Sequence, residues 1–321
     1  PSEGMILVTP TAVFQLVDSR YTETARLHGA DTGVQVTEIT TGFWDELDAL
    51  LKKIDCKILL IEDRTIAYRQ YTQLQGIFSG ELRPVGNGVM DLRNVKEPWE
   101  IDLMKTANRI AEKAFLELLN DVKPGKTEKE LAARFDYLMA LGGSDGVSFD
   151  TILLTGAHTS MPHGVPENRE VQKGDFVLFD FGATYRGYHS DMTRTVAVGS
   201  ATAEMQAAYD LVLRAQLAGI QALHAGVPCK EVYQAAYDVL AAEDKAQYFR
   251  HSLGHGVGLE IHEGYNASPR SGDVYQTGNV TSVEPGIYLP DKFGIRIEDV
   301  LYLSPHGREN LSNVTKKLIV L

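Results

Sequence analysis

The chain has 321 residues, 44% of them apolar, which leaves room for about two domains and is ordinary for a globular protein. Its formal charge of −12 comes with no Lys/Arg cluster, so a nucleic-acid partner is not expected, because a phosphate backbone rewards clustered cations. No apolar run approaches the roughly 20 residues that span a bilayer, and the two cysteines, Cys56 and Cys229, form no CxxC pair, in keeping with a reducing cytoplasm.

The chain opens at Pro1-Ser2-Glu3-Gly4 without an initiator Met and runs straight into apolar residues 5–8, from which we expect its native beginning to be missing. Segments 5–8 and 12–17, split by Thr9-Pro10-Thr11, read as two strands with a tight turn. Helical stretches near 20–28, 43–53 and 65–76 alternate with strand-like stretches near 33–39 and 57–61, the pattern of a small α/β domain. That domain ends around Asp91 and carries no evident catalytic cluster. We therefore divide the chain into an N-terminal α/β domain, 1–92, incomplete at its start, and a larger domain, 93–321.

From Lys96 onward the spacing of Ile101, Met104, Ile110, Ala114, Phe115 and Leu118 predicts a long helix. Lys123-Pro124-Gly125 breaks it, and a second helix over about 127–141 begins with Thr127 as N-cap and Glu130 as its capping-box partner. A strand at 151–155 follows, then a loop carrying Met161-Pro162-His163-Gly164, then a hairpin of 176–181 with 189–198 around Gly182 and Gly187. After Gly199 the order repeats: helices near 202–224 and 229–244, a loop rich in His and Gly, and a hairpin of 280–288 with 294–303. Gly125, Lys129 and Glu130 recur 101 positions later as Gly226, Lys230 and Glu231, and Gly174 precedes Asp180 by the same six residues as Gly278 precedes Glu284. The recurrence points to an internal duplication in which each half supplies a histidine-bearing loop and a hairpin with two carboxylates.

Residues 251–263 set His251, His255 and His262 among glycines, a density that neither helix nor strand propensity selects. Asp180 lies in an otherwise apolar strand, where an ionised carboxylate is costly without compensation. Asp191 belongs to the same hairpin, and Glu284 and Glu298 repeat the arrangement on the second. Any one of them alone reads as a satisfied turn or strand-edge residue. Converging together they repel one another unless cations hold them, and four carboxylates with the one imidazole of His255 suit two divalent ions of the manganese, cobalt or zinc type. Such a centre activates water and polarises a carbonyl, while a carboxylate such as Glu284 relays a proton and imidazoles stabilise an oxyanion, which is the chemistry of peptide hydrolysis.

The motifs Met161-Pro162-His163, Asp180-Phe181-Gly182, Tyr188-His189-Ser190-Asp191-Met192-Thr193-Arg194-Thr195, the His/Gly stretch, Val283-Glu284-Pro285-Gly286-Ile287-Tyr288 and Gly294-Ile295-Arg296-Ile297-Glu298-Asp299 stand in one order over 96–321. In this the chain resembles the Xaa-Pro peptidase family, the aminopeptidase P and prolidase group. The resemblance implies an α+β pita-bread catalytic domain with pseudo-twofold duplicated α-α-β-hairpin halves, preceded by a smaller α/β domain. It implies that Asp180, Asp191, His255, Glu284 and Glu298 are metal ligands, with Asp191 and Glu298 touching both ions and Glu284 doubling as proton shuttle. His163, His251 and His262 match substrate-positioning and transition-state histidines, and Arg296 an arginine behind the ligands or facing a carboxylate. The bland alternatives are that His163 caps a loop and that Arg296 pairs with Asp299. Relatives often carry a proline shortly after the His-Glu pair, whereas Gly264-Tyr265-Asn266 follows Glu263 here, so the loop shape near the pocket is expected to differ.

The implied activity is a dinuclear Xaa-Pro aminopeptidase acting on proline-containing peptides, with two divalent ions, foremost Mn2+ and otherwise Co2+ or Zn2+. Prolidase action on Xaa-Pro dipeptides is the alternative, and an inactive binding protein of the same fold is a distant one, since no ligand is lost. A cytoplasmic homodimer without nucleic-acid or membrane partners completes the expectation.

Overall fold

A computed structural model describes residues 4–321, which divide into two compact units, one ending at Val89 and the other beginning at Met90. The first unit comprises β1 (Gly4–Val8), β2 (Val13–Val17), α1 (Thr22–Gly29), β3 (Val34–Glu38), α2 (Phe43–Lys53), β4 (Ile58–Ile61), α3 (Tyr68–Ile77) and β5 (Glu81–Pro84). β1 lies antiparallel to β2, β2 runs parallel to β3, and β4 runs parallel to β5 in a separate pair. Leu7, Leu16, Leu47, Leu51 and Leu74 form its core. The alternating strands and helices are those expected from the sequence, apart from β5, whose Arg- and Pro-containing segment lacks a strand-like apolar pattern.

α4 (Gly88–Asn94) carries the boundary. The second unit continues with α5 (Pro98–Leu118), α6 (Glu128–Leu141), β6 (Gly146–Val147), β7 (Ile152–Thr155), β8 (Phe176–Phe181), β9 (Ala183–Tyr185), β10 (Tyr188–His189) and β11 (Met192–Ala197). Its remainder is α7 (Ala203–Ala222), α8 (Cys229–Ala241), β12 (Gly254–Gly256), β13 (Glu263–Ala267), β14 (Val280–Val283), β15 (Gly286–Leu289), β16 (Phe293–Arg296), β17 (Asp299–Ser304) and β18 (Gly307–Asn310). α6 starts on the expected capping box: Thr127 Oγ1 accepts from Glu130 N, and Glu130 Oε2 accepts from Thr127 N.

The two halves repeat in backbone detail. Gly125 and Gly226 adopt φ of 88° and 90°, and donate to the Val171 and Tyr275 carbonyls at 3.0 and 2.7 Å. Gly174 and Gly278 have φ of 93° and 95°, and donate to Val198 and Leu303, both at 2.7 Å. These left-handed positions are where the chain tolerates glycine best, which is why glycine marks the repeat in the sequence.

Both long hairpins depart from the sequence expectation in the same way. β8 pairs with β11, but between them β9 and β10 form a small hairpin in a different sheet with β6. In the second half β14 pairs with β17, while β15 and β16 form a separate two-stranded ribbon. The expected strands 189–198, 280–288 and 294–303 are therefore each interrupted. Ser190, closely packed on Gly182, donates from its backbone to Ala183, and Pro285 has no N–H to offer a ladder. The interruptions matter because Asp191, Glu284 and Glu298 all fall in them.

Val177, Phe179 and Phe181 of β8 join Phe115 of α5 and Phe135 of α6 in one core, with the Phe115 and Phe181 rings stacked at 5.4 Å. A second core gathers α7, α8 and the second-half strands around Tyr209, Val232, Leu253 and Ile295. Among the described residues no helix is long and apolar enough to cross a membrane.

Candidate active site

Alternation along β8 turns Asp180 away from the face that carries Val177, Phe179 and Phe181, so the buried aromatic layer dictates where this carboxylate points. Asp191 ends the turn before β11, His255 sits in β12, Glu284 follows β14, and Glu298 precedes β17. The fold brings all five together. One donor atom each from Asp191, His255 and Glu298 lies within 4.8 Å of the others. His255 Nε2 is 3.3 Å from Glu284 Oε1 and 3.5 Å from Asp191 Oδ2, and Asp180 Oδ2 accepts from Arg296 Nη2. Hence Arg296 pairs with Asp180, while Asp299 is taken by Arg194 and Lys316.

Two buried carboxylate oxygens, Asp191 Oδ1 and Glu298 Oε1, have no hydrogen-bond partner. Buried polar atoms are nearly always satisfied, and an orphan pair in one cluster of carboxylates fits the donor set of a cation. The imidazole is oriented for the same purpose: His255 Nδ1–H donates to the Gly256 carbonyl at 3.1 Å, which turns Nε2 toward the carboxylates of Glu284 and Asp191. Oxygen donors with one imidazole fit divalent cations.

The electrostatics agree. Burial, then the neighbouring Glu298, Asp180 and Glu284, push the Asp191 carboxyl well above its ordinary range. Burial, then Glu284 and Asp180, do the same to Glu298. Asp180 is raised less, burial being opposed by the charge of Arg296. Glu284 goes the other way: burial would raise it, and the hydrogen bond and charge of His255, with the charge of Arg296, outweigh burial. Four such groups cannot all ionise without added positive charge.

The three other candidate histidines lie near the cluster. His262 lies with its ring 4.1 Å from that of His255, and burial lowers its pKa. His251 donates from Nδ1 to the Ser252 carbonyl at 2.8 Å, so its Nε2 accepts from Tyr288 Oη at 3.0 Å. Burial keeps His251 neutral, in accord with that tautomer. His163, exposed on the loop after residues 156–160, makes its influence felt at both His251 and His262.

Tyr288, Thr193 and Ser282 were not singled out from the sequence. Tyr288 Oη accepts from Arg296 Nη1 at 2.7 Å, which completes a chain from Asp180 through Arg296 and Tyr288 to His251. Thr193 Oγ1 donates to Glu298 Oε2 at 2.7 Å and accepts from Arg296 Nε at 3.0 Å, so one hydroxyl orients ligand and arginine together. Ser282 Oγ donates to Glu284 Oε1 at 3.1 Å. The available signal was a polar or phenolic residue within a few positions of a buried carboxylate in an apolar strand.

Glu263, next to His262, is buried and receives Lys96 Nζ at 2.6 Å, a guanidinium nitrogen of Arg93, and the Glu260 N–H at 3.1 Å. Burial would raise its carboxyl, and Lys96 and Arg93 outweigh burial and hold it below the ordinary value. Lys96 is itself lowered by burial, yet two cations on one carboxylate leave the carboxylate to govern the acid limb. A depressed folded-state pKa contributes stability that is present above about pH 4.3 and lost as pH falls through the folded value. Glu263→Gln is expected to flatten the acid limb of the thermal-unfolding profile, and to cost about 3–5 kcal/mol at neutral pH because Lys96 is left buried beside a neutral amide.

The model of metallopeptidase family M24 matches residues 102–305. The Xaa-Pro dipeptidase of Pyrococcus horikoshii is 38% identical over 239 residues, 74% of this chain and 68% of that protein. Among solved structures, a Xaa-Pro dipeptidase from Bacillus anthracis superposes with a TM-score of 0.95 at 34% identity, over all of this chain and 90% of that one. An X-Pro aminopeptidase from Thermotoga maritima gives 0.94 at 35% identity, over 99% of this chain and 90% of that one. The second unit thus has the α+β pita-bread fold of these enzymes. By the matched model, the identity and the buried donor cluster together, the chain belongs to metallopeptidase family M24 and, within it, to the Xaa-Pro peptidases, hydrolases of peptide bonds.

Proposed function

We propose that the chain is a Xaa-Pro dipeptidase that hydrolyses the bond between an N-terminal residue and a following C-terminal proline, with two divalent ions, foremost Mn2+. The observation that carries it is the buried donor cluster around His255, with its two orphan carboxylate oxygens, in a chain of this group. From the sequence we expected the aminopeptidase first and the prolidase second. The names of the Pyrococcus and Bacillus relatives support reversing that order, and the Thermotoga enzyme supports keeping the aminopeptidase as second reading.

Asp180, Asp191, His255, Glu284 and Glu298 would hold the ions, which when bound supply Lewis acidity to a water and to the scissile carbonyl. Glu284 takes the proton of that water and passes it to the proline nitrogen as the C–N bond breaks. His262 and His163 stand on the substrate side, where imidazole donors face the developing oxyanion, and His251, with both ring nitrogens taken by the Ser252 carbonyl and Tyr288, helps to position the substrate. Arg296 holds Asp180 and Tyr288 in place. A homodimer in the cytoplasm is part of the same reading.

A length series decides between the two names. Chelator-treated protein is expected to be inactive and to recover with Mn2+ or Co2+. The recovered enzyme should cleave Xaa-Pro at least ~10-fold faster than Xaa-Pro-Xaa, by kcat/KM, because a dipeptidase must bind a carboxylate directly after proline. Preference for the tripeptide would give the aminopeptidase, and no cleavage of either would remove the reading.

A further inference from the structure

The loop that carries His163 has little regular structure of its own, and one buried carboxylate holds both of its ends. Glu128, the first residue of α6, is fully buried. Its Oε1 accepts from Thr155 N at 2.7 Å, where the loop leaves β7, and its Oε2 accepts from Glu167 N at 2.9 Å, where the loop returns. Between them His158 Nδ1, also buried, lies 2.9 Å from both oxygens. The carboxylate thereby satisfies two backbone donors and an imidazole that burial would otherwise strand, and its place at a helix N-terminus favours the negative charge.

The held loop reaches the site by two further bonds. Thr159 Oγ1 accepts from Gly294 N at 2.7 Å, and the Pro162 carbonyl accepts from Arg296 Nη1 at 3.3 Å. Around these anchors the chain turns outward, with Met161 56% and Val165 74% exposed on either side of His163.

We propose that Glu128, paired with His158, is a positioning residue that sets the 155–167 loop, and with it His163, against the substrate side of the active site. The inference rests on His163 meeting substrate, as proposed above. No metal donor touches Glu128, so its loss acts on substrate binding and leaves the ions in place.

The test uses the metal-loaded full chain with Glu128→Gln, which turns an amide N–H₂ toward one of the donors, His163→Ala, and the double variant. Glu128→Gln is expected to raise KM for the cleaved peptide about tenfold with kcat within about threefold. Bound metal should equal that of the parent, and amide exchange should speed up within 156–166 but not within 192–197. In the His163→Ala background the same change should add nothing to KM. Unchanged exchange in 156–166, a fully additive double variant, or loss of metal would each overturn the proposal. If Glu128→Gln does not fold, His158→Gln, which removes the imidazole from Glu128 and keeps its two backbone donors, carries the same comparisons with a smaller rise in KM and in exchange expected. If the parent cleaves no Xaa-Pro substrate, the functional reading fails, and the exchange measurement still decides whether Glu128 holds the loop.

Discussion

Replacing Glu284 by alanine is expected to abolish measurable turnover, a loss of at least about 10²–10⁴-fold if proton relay is its main part, and more where the loss of a metal donor adds to it. The reason lies in its surroundings. Glu284 is the one carboxylate of the cluster whose pKa falls, because His255 and Arg296 outweigh the effect of burial. It is thus ionised and able to take a proton, with Ser282 steadying Oε1. Turnover and bound metal should be measured together, with Glu284→Gln beside Glu284→Ala. Near-normal turnover in either variant would remove the role assigned to it.

Glu298→Gln should divide the metal-loaded and metal-free states. With ions present the variant is expected to lose bound metal by at least ~10-fold in affinity. In the chelated protein it should melt about 2–4 °C higher than the parent, a gain of roughly 1 kcal/mol, because burial and the like charges of Glu284 and Asp180 already oppose the Glu298 carboxylate. The amide still accepts from Thr193. Elemental analysis and thermal unfolding with and without chelator check both halves. A chelated variant that melts lower than the chelated parent would show that carboxylate repulsion is not what the ions relieve.

Much of the architecture was legible because it depends on local pattern. The spacing of Ile101 to Leu118 and the Thr127–Glu130 capping box marked α5 and α6, and the left-handed glycines at 125 and 226 marked the repeat. The interruptions of the two hairpins were not legible, since the apolar alternation runs on across Ser190 and Pro285 while the hydrogen-bond ladder does not.

The sequence by itself determined the order of elements, the duplication, and a set of five candidate donors with three further histidines. Those follow from periodicity, turn chemistry and residue type, which act over a few positions. Only the tertiary structure decided which atoms meet. Thr193 reaches Glu298 across 105 positions, Arg296 chooses Asp180 at 116 positions over Asp299 at three, and Glu128 spans the two ends of the His163 loop. The first two of these pairings join the two halves, and beside them Asp191 Oδ1 and Glu298 Oε1 are buried without a hydrogen-bond partner.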